Sequence, residues 1–146
     1  MSVSAVVADV KLESVTSSLR IQRPARGVVV LVITGTDTGE FGDAPFIELA
    51  TDVAMGPFEL FVDARESRGV ALDVSGRWAR FLAARRASLR RVNMLTGSRF
   101  VQLTANFVRD FAELGELMRI YSDRHAFEAA LAASIAAASA EPRSLA

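Results

Sequence analysis

The run Val28-Val-Val-Leu-Val-Ile33 is the stretch of sequence that most strongly constrains the fold. Six apolar residues follow one another, and all except Leu31 are β-branched. Continuous runs of this kind are typical of strands that are covered on both faces, which occur mainly in parallel sheets. The run therefore predicts an inner strand of an α/β domain.

A second strand is predicted immediately before this run, antiparallel to it. Residues 18–22 have strand character, and Arg23-Pro-Ala-Arg-Gly27 provides the Pro and Gly of a turn. The strand after the turn is assigned to residues 27–34. Residues 1–16 are assigned to an N-terminal extension, because their strand pattern is weak. That pattern consists of Val3, Ala5, Val7 and Ala8.

Helices and strands alternate along the rest of the chain. The polar loop Gly35–Asp43 precedes a helix in which Asp43 is the expected N-cap and Pro45 occupies the first turn. Further strands are predicted to end at Asp63, Thr96 and Tyr121, and further helices to begin near Asp73, Ser98 and Asp123. The order β-β-α-β-α-β-α-β-α predicts a mixed, mainly parallel sheet with right-handed crossovers. One domain over residues 17–135 is expected, followed by a flexible tail, 136–146.

Two of the predicted helices carry aromatic residues at helical spacing. Trp78, Phe81 and Leu82 are expected to pack on the sheet. In the helix after Ser98, the large apolar residues recur every three or four positions and are expected to form core. These residues are Phe100, Leu103, Phe107, Phe111 and Leu114.

Composition excludes several classes of function. The 146 residues include no cysteine, and 17 basic residues balance 17 acidic ones, so neither a thiolate site nor a nucleic-acid surface is expected. His125 is the only histidine and has no metal-ligand spacing to carboxylates. No apolar run reaches the roughly 18 residues of a membrane span. We expect a cytoplasmic protein that is not an enzyme and holds no metal or cofactor.

Several short motifs, in this order, make the chain similar to the STAS superfamily, whose fold is that of anti-sigma-factor antagonists. They are the apolar strand ending in Gly35, the strand ending in Phe61-Val-Asp63, Asp73-Val-Ser-Gly76 at a helix start, and the segment Tyr121–Leu131. The resemblance implies a bacterial regulatory module that binds a protein. Family members carry a phosphorylated hydroxyl directly after the motif's Asp, where this chain has Val74. The usual phosphorylation switch is therefore not expected.

The candidate binding residues lie in the glycine-rich loop and around the helix start. They are Asp37, Glu40, Asp63, Asp73, Ser75, Gly76, Arg77 and Arg80. Simpler roles are open for several of them: Asp73 or Ser75 can cap the helix, and the arginines can form a solvated face.

A second function remains open, because the chain also resembles a divergent STAS branch that is grouped with CRAL-TRIO-like lipid-binding folds. A carrier of this kind would hold a small apolar ligand or a lipid in a pocket between the sheet and the helix of Phe100 and Phe107. A closed, fully packed core favours the protein-binding module, and a large apolar cavity favours the carrier. The sequence does not decide whether the chain forms a homo-oligomer.

Overall fold

The computed structural model describes residues 9–140 and has a six-stranded sheet whose strands lie in sequence order. The first two pairings are antiparallel and the other three are parallel, so the predicted mixed, mainly parallel sheet is confirmed. The strands are β1 Val10–Glu13, β2 Ser17–Ala25, β3 Val28–Asp37, β4 Phe58–Val70, β5 Leu89–Thr96 and β6 Met118–Tyr121.

Four helices cover the two faces of this sheet. They are α1 Ala44–Ala54, α2 Leu72–Ala84, α3 Arg99–Phe111 and α4 Arg124–Ala140. Because consecutive parallel strands are neighbours, right-handed crossovers place α1, α2 and α3 on the same face. Leu49, Leu82 and Val101 of these helices share one apolar core, whereas Phe127 of α4 packs with Phe61 in a second core on the opposite face.

The ends of the chain differ from the predicted order of elements. The structure adds a strand, β1, in which Leu12 pairs with Leu19 of β2. Helix α4 continues to Ala140, past the predicted boundary at residue 135. The strand pattern of Val3, Ala5, Val7 and Ala8, and the last six residues of the predicted tail, lie outside the described residues.

Strands β3 and β4 run further than the sequence predicts. Thr34 pairs with Glu66, and Asp37 pairs with Val70. As a result, a large part of the two predicted loops, Gly35–Asp43 and Asp63–Asp73, forms a pair of parallel strands. This extension gives little hydrophobic signal because it is rich in glycine, hydroxyl and charged side chains. Main-chain hydrogen bonds form its ladder whatever the side chains are.

Helix α3 turns a different face to the core from the one predicted. Its buried residues are Val101, Ala105 and Val108. Four of the five predicted core residues are exposed: Phe100 is 60%, Leu103 61%, Phe107 38% and Phe111 52% accessible. The fifth, Leu114, follows the helix and is buried in the core as predicted. Small and β-branched side chains let the helix lie close to the sheet, and the larger residues are consequently turned to solvent.

Other predicted helix features are confirmed. Ser98 caps α3 by accepting a hydrogen bond from the Val101 N–H at 3.2 Å. Phe81 and Leu82 are buried, and Trp78 is partly buried against the Phe46 ring, with the ring centroids 4.7 Å apart. Phe127, Leu131 and Ile135 face the sheet from α4.

Candidate functional site

The glycine-rich loop and the start of α2 meet at the carboxyl edge of the sheet. The Ala71 N–H donates to the main-chain oxygen of Asp37 at 2.8 Å, which joins the end of β3 to the residue before α2. A Cβ on Gly39 would lie 3.5 Å from Cγ2 of Val74, so the loop rests directly on the helix. We call residues 38–43 and 72–80 together the loop–helix surface.

Two acidic residues shape this loop, Asp37 and Glu40. Asp37 is buried and accepts a hydrogen bond from the Gly39 N–H at 2.8 Å, and burial raises the pKa of its carboxyl group. Glu40 is exposed and accepts hydrogen bonds of 2.8 Å from the Thr16 hydroxyl and from the Thr38 N–H. Hydrogen bonds from its own N–H, from Thr16 and from Thr38 lower the pKa of Glu40 to about 2.

Helix α2 begins without a side-chain cap, so the prediction that Asp73 or Ser75 caps it is wrong. The N-cap position is Ala71, and the helix begins at Leu72. Both predicted caps therefore lie inside the first turn. The Ser75 hydroxyl instead donates to the main-chain oxygen of Leu72 at 2.8 Å. Asp73 still places a negative charge in the first turn, where the helix dipole favours it.

The residue with the greatest consequence for this surface is Leu72, which the sequence analysis does not identify. Its side chain is 79% exposed at the first position of α2. Val74 and Ser75, two and three residues later, are only 6% and 3% exposed. The one feature of the sequence that could have identified Leu72 is its position as an apolar residue directly before Asp73. The helix start thus presents a leucine to solvent and buries the only hydroxyl of the Asp-Val-Ser-Gly motif.

The two candidate arginines of α2 have different environments. Arg77 forms an ion pair with Asp43 at the start of α1, and its guanidinium carbon lies 5.1 Å from the Phe46 ring centre. Arg80 is exposed and extends across Gly76, with Nη1 3.4 Å from the place of a Cβ on that glycine. Arg77 therefore joins α1 to α2, whereas the Arg80 charge remains open to solvent.

The structure separates Asp63 from the other candidates. Asp63 pairs with Leu95 near the carboxyl end of β5, so it lies toward the same edge of the sheet as the start of α2. Its neighbour Phe61, two residues earlier on the same side of the strand, belongs to the α4 core. The Asp63 carboxylate accepts hydrogen bonds from the Arg65 guanidinium at 2.8 and 3.0 Å and from the Arg65 N–H at 3.2 Å. Asp63 thus lies on the α4 face, away from Asp73.

An apolar cavity lies on the other side of the loop–helix surface, between the sheet and helices α2 and α3. Its volume is about 80 Å³, and Leu31, Leu60, Trp78 and Val108 are among its lining residues. Pockets that hold drug-sized ligands usually have volumes of about 300–1,000 Å³. The cavity is therefore too small for a drug-sized ligand, although it is larger than the voids of a fully packed core.

Within residues 9–140, no cluster of three or more histidine and carboxylate side chains is arranged to hold a metal ion. No helix in the same residues is long and apolar enough to cross a membrane.

Three solved structures have the same fold as this chain. A protein of the DUF3478 family with a SpoIIAA-like fold, from Shewanella loihica PV-4, superposes with a TM-score of 0.55 at 15% identity, over 80% of this chain and 94% of that one. The anti-sigma factor antagonist SpoIIAA in its unphosphorylated form gives 0.54 at 16% identity, over 77% and 95%. An anti-sigma factor antagonist from Mycobacterium paratuberculosis gives 0.53 at 14% identity, over 86% and 95%.

These likenesses confirm the STAS-type, SpoIIAA-like fold that the sequence motifs imply. At such low identity they establish the fold and not the activity. No protein-family model matches the chain, and no curated protein is significantly similar to it in sequence.

Proposed function

We propose that this protein is a non-catalytic regulatory module that binds a protein partner through the loop–helix surface. Two of its structural neighbours are anti-sigma factor antagonists, so the fold is one that serves such regulators. The proposed contact residues are Glu40, Asp73, Gly76, Arg77 and Arg80, together with Leu72. Asp37 is buried and is proposed to hold the loop in place by accepting the hydrogen bond of the Gly39 N–H. Asp63 is not part of this surface, because it is held by Arg65 on the α4 face.

The exposure of Leu72 is the observation that carries the proposal. Leucine at 79% exposure contributes little to the stability of the free domain, yet it is the kind of apolar group that a partner can bury. Asp73 follows it directly, and Glu40 and Arg80 are exposed elsewhere on the loop–helix surface, so the three can supply polar contacts of both signs. The surface therefore combines an apolar centre with charged surroundings, as protein interfaces do.

The proposal includes no phosphorylation switch at this helix. The position that corresponds to the family's phosphoacceptor is Val74, which has no hydroxyl and packs against Gly39. Ser75 has a hydroxyl, but it is 3% exposed and bonded to the Leu72 carbonyl oxygen. A kinase would have to unwind the first turn of α2 to reach it. Partner binding is therefore proposed to be constitutive here, in the cytoplasm of a bacterium.

The carrier function has less support. The cavity beneath α2 and α3 is about 80 Å³, several-fold smaller than ordinary ligand pockets. Its lining, including Leu60, Val62 and Val92, is the hydrophobic core of the fold. This size favours the protein-binding module over a carrier of lipids.

Affinity capture from an extract of the source cells tests the proposal. The full chain is used as bait beside a Leu72→Glu variant, and the recovered bait is weighed intact by mass spectrometry. We expect one partner in stoichiometric amount with the parent and at least a tenfold loss with the variant, since a carboxylate cannot be buried in an apolar pocket without cost.

Met55→Glu provides the matched control for this experiment. Met55 is 57% exposed and follows α1 at the end of the helix that is remote from the loop. The same chemical change there should leave capture intact. Equal capture by all three baits, or a bait mass that reveals a bound lipid, would contradict the proposal.

A further inference from the structure

Helix α3 presents an apolar stripe to solvent, and it is the largest group of exposed apolar side chains on any one element of the described chain. The stripe consists of Phe100, Leu103, Phe107 and Phe111, between 38% and 61% exposed. These residues lie within an arc of about 80° on the helix when each residue turns by about 100°. Phe107 and Phe111 contact each other, with ring centroids 5.7 Å apart.

The exposed apolar area of the stripe is large enough to favour association with another apolar surface. With about 200 Å² of surface per aromatic or leucine side chain, its exposed part amounts to roughly 400 Å². This area equals that of the largest apolar patch on a typical monomer, and such patches are often functional. Two copies would bury about 800 Å² of apolar surface, and at the usual apolar share of about 65% this implies an interface near 1,200 Å². That is the lower limit for a stable dimer.

The order of residues along α3 is self-complementary. Rotation about a two-fold axis that passes near Ala105, perpendicular to the helix, makes two copies of α3 antiparallel. Phe100 then meets Phe111 of the other copy, and Leu103 meets Phe107. Because each contact of a two-fold interface occurs twice, all four apolar residues are covered at once.

The charges beside the stripe agree with the same arrangement. Arg99 and Asp110 are both exposed, and they lie on one flank of the stripe because eleven residues are about three helical turns. Neither forms an ion pair within the described residues. Under the two-fold rotation, Arg99 of one copy lies level with Asp110 of the other, on the same flank.

We propose that this face of α3 binds a second copy of the chain, so that the protein is a two-fold dimer with antiparallel α3 helices. The area is at the lower end of the range for stable interfaces, so we expect a dimer whose population depends on protein concentration. The proposal does not depend on the function of the loop–helix surface.

Sedimentation equilibrium of the full chain over a range of concentrations tests this inference. We expect a monomer–dimer equilibrium in the parent and about a 100-fold weaker dimer in Leu103→Glu, which places a charge at the centre of the contact. Gln102→Glu is the control, because Gln102 is exposed on the same helix but lies off the stripe. That variant should dimerise like the parent.

Reversing the charges at positions 99 and 110 then tests the antiparallel arrangement itself. Arg99→Asp and Asp110→Arg should each weaken the dimer about tenfold by opposing like charges, and the double variant should restore it. Circular dichroism of each variant verifies that the fold is retained. A parent that remains monomeric at all concentrations, or a double variant no stronger than either single one, would overturn the proposal.

Discussion

The Ser75 hydroxyl donates a hydrogen bond of 2.8 Å to the main-chain oxygen of Leu72, three residues earlier in the first turn of α2. The two side chains have opposite environments, because Ser75 is 3% and Leu72 79% exposed. The turn therefore faces solvent with an apolar group and keeps its hydroxyl inside. This one relationship supports both parts of the proposed function, partner binding through Leu72 and the lack of a phosphorylation switch.

Ser75 is expected to remain unmodified when the protein is incubated with cell extract and ATP. Phosphate on this hydroxyl would have to replace a buried hydrogen bond and place two negative charges in the interior. Mass mapping of the recovered protein measures the modification directly. Stoichiometric phosphate on Ser75 would contradict the prediction. In a separate measurement by chemical denaturation, Ser75→Ala should lower the free energy of unfolding by only about 1 kcal/mol, the usual contribution of one hydrogen bond.

Gly35→Ala is expected to be one of the most destabilising single substitutions in the domain. An added Cβ would lie 2.1 Å from the Thr16 main-chain oxygen, and φ of +75° is already unfavourable for alanine. We expect the free energy of unfolding to fall by more than about 3 kcal/mol, since the main chain of β2 would have to move. Chemical denaturation measures it.

Gly42→Ala is the control for this prediction. Gly42 has φ of +55° but no heavy atom within 4 Å of an added Cβ. Only the conformational cost of about 1 kcal/mol remains there. Equal losses at Gly35 and Gly42 would show that the close approach of Thr16 is unimportant.

Asp52→Ala should destabilise the domain by about 3 kcal/mol, because it removes one partner of a buried ion pair. Arg23 Nε and Nη2 donate to the two carboxylate oxygens of Asp52 at 3.0 and 2.8 Å, which joins β2 to α1. This hydrogen bonding is the main reason that the pKa of Arg23 is raised. The paired replacement Arg23→Met with Asp52→Leu should recover much of the loss. A double variant as unstable as Asp52→Ala would refute this account.

Ionisation of Glu40 should make the free energy of unfolding depend on pH below 4.5. Its pKa falls from 4.5 to about 2 in the folded protein because the loop donates hydrogen bonds to its carboxylate. A lowered folded pKa means that the stabilisation is complete above 4.5 and is lost as the pH falls toward 2. Glu40→Gln should therefore melt below the parent at pH 6 and together with it near pH 2. A constant difference in melting temperature across this range would contradict the assignment.

The sequence predicts the alternation of strands and helices because the inner strands of this domain contain buried apolar stretches. Val28–Ile33 is a continuous apolar run, and Phe58–Val62 is apolar except for Glu59. Ser98 has the capping geometry that its position predicts. The extension of β4 to Val70 could not be recognised in the same way. Its residues are mostly polar, and what holds them in a strand is main-chain pairing with β3.

Helix α3 shows why its core face was predicted wrongly. The helix has two apolar faces, one of large aromatic residues and one of Val101, Ala105 and Val108. Hydrophobicity alone favours the aromatic face, whereas close packing against the sheet favours the small residues. The position of Leu72 escaped prediction for a related reason, because α2 begins one residue before the Asp73 that was expected to cap it.

The most direct test of the central claim is hydrogen–deuterium exchange of the protein alone and in complex with the captured partner. The account predicts that the partner slows exchange in residues 38–43 and 72–80, and leaves Arg124–Ala140 of α4 unchanged on the opposite face. Protection confined to α4, with the start of α2 exchanging at its free rate, would contradict it.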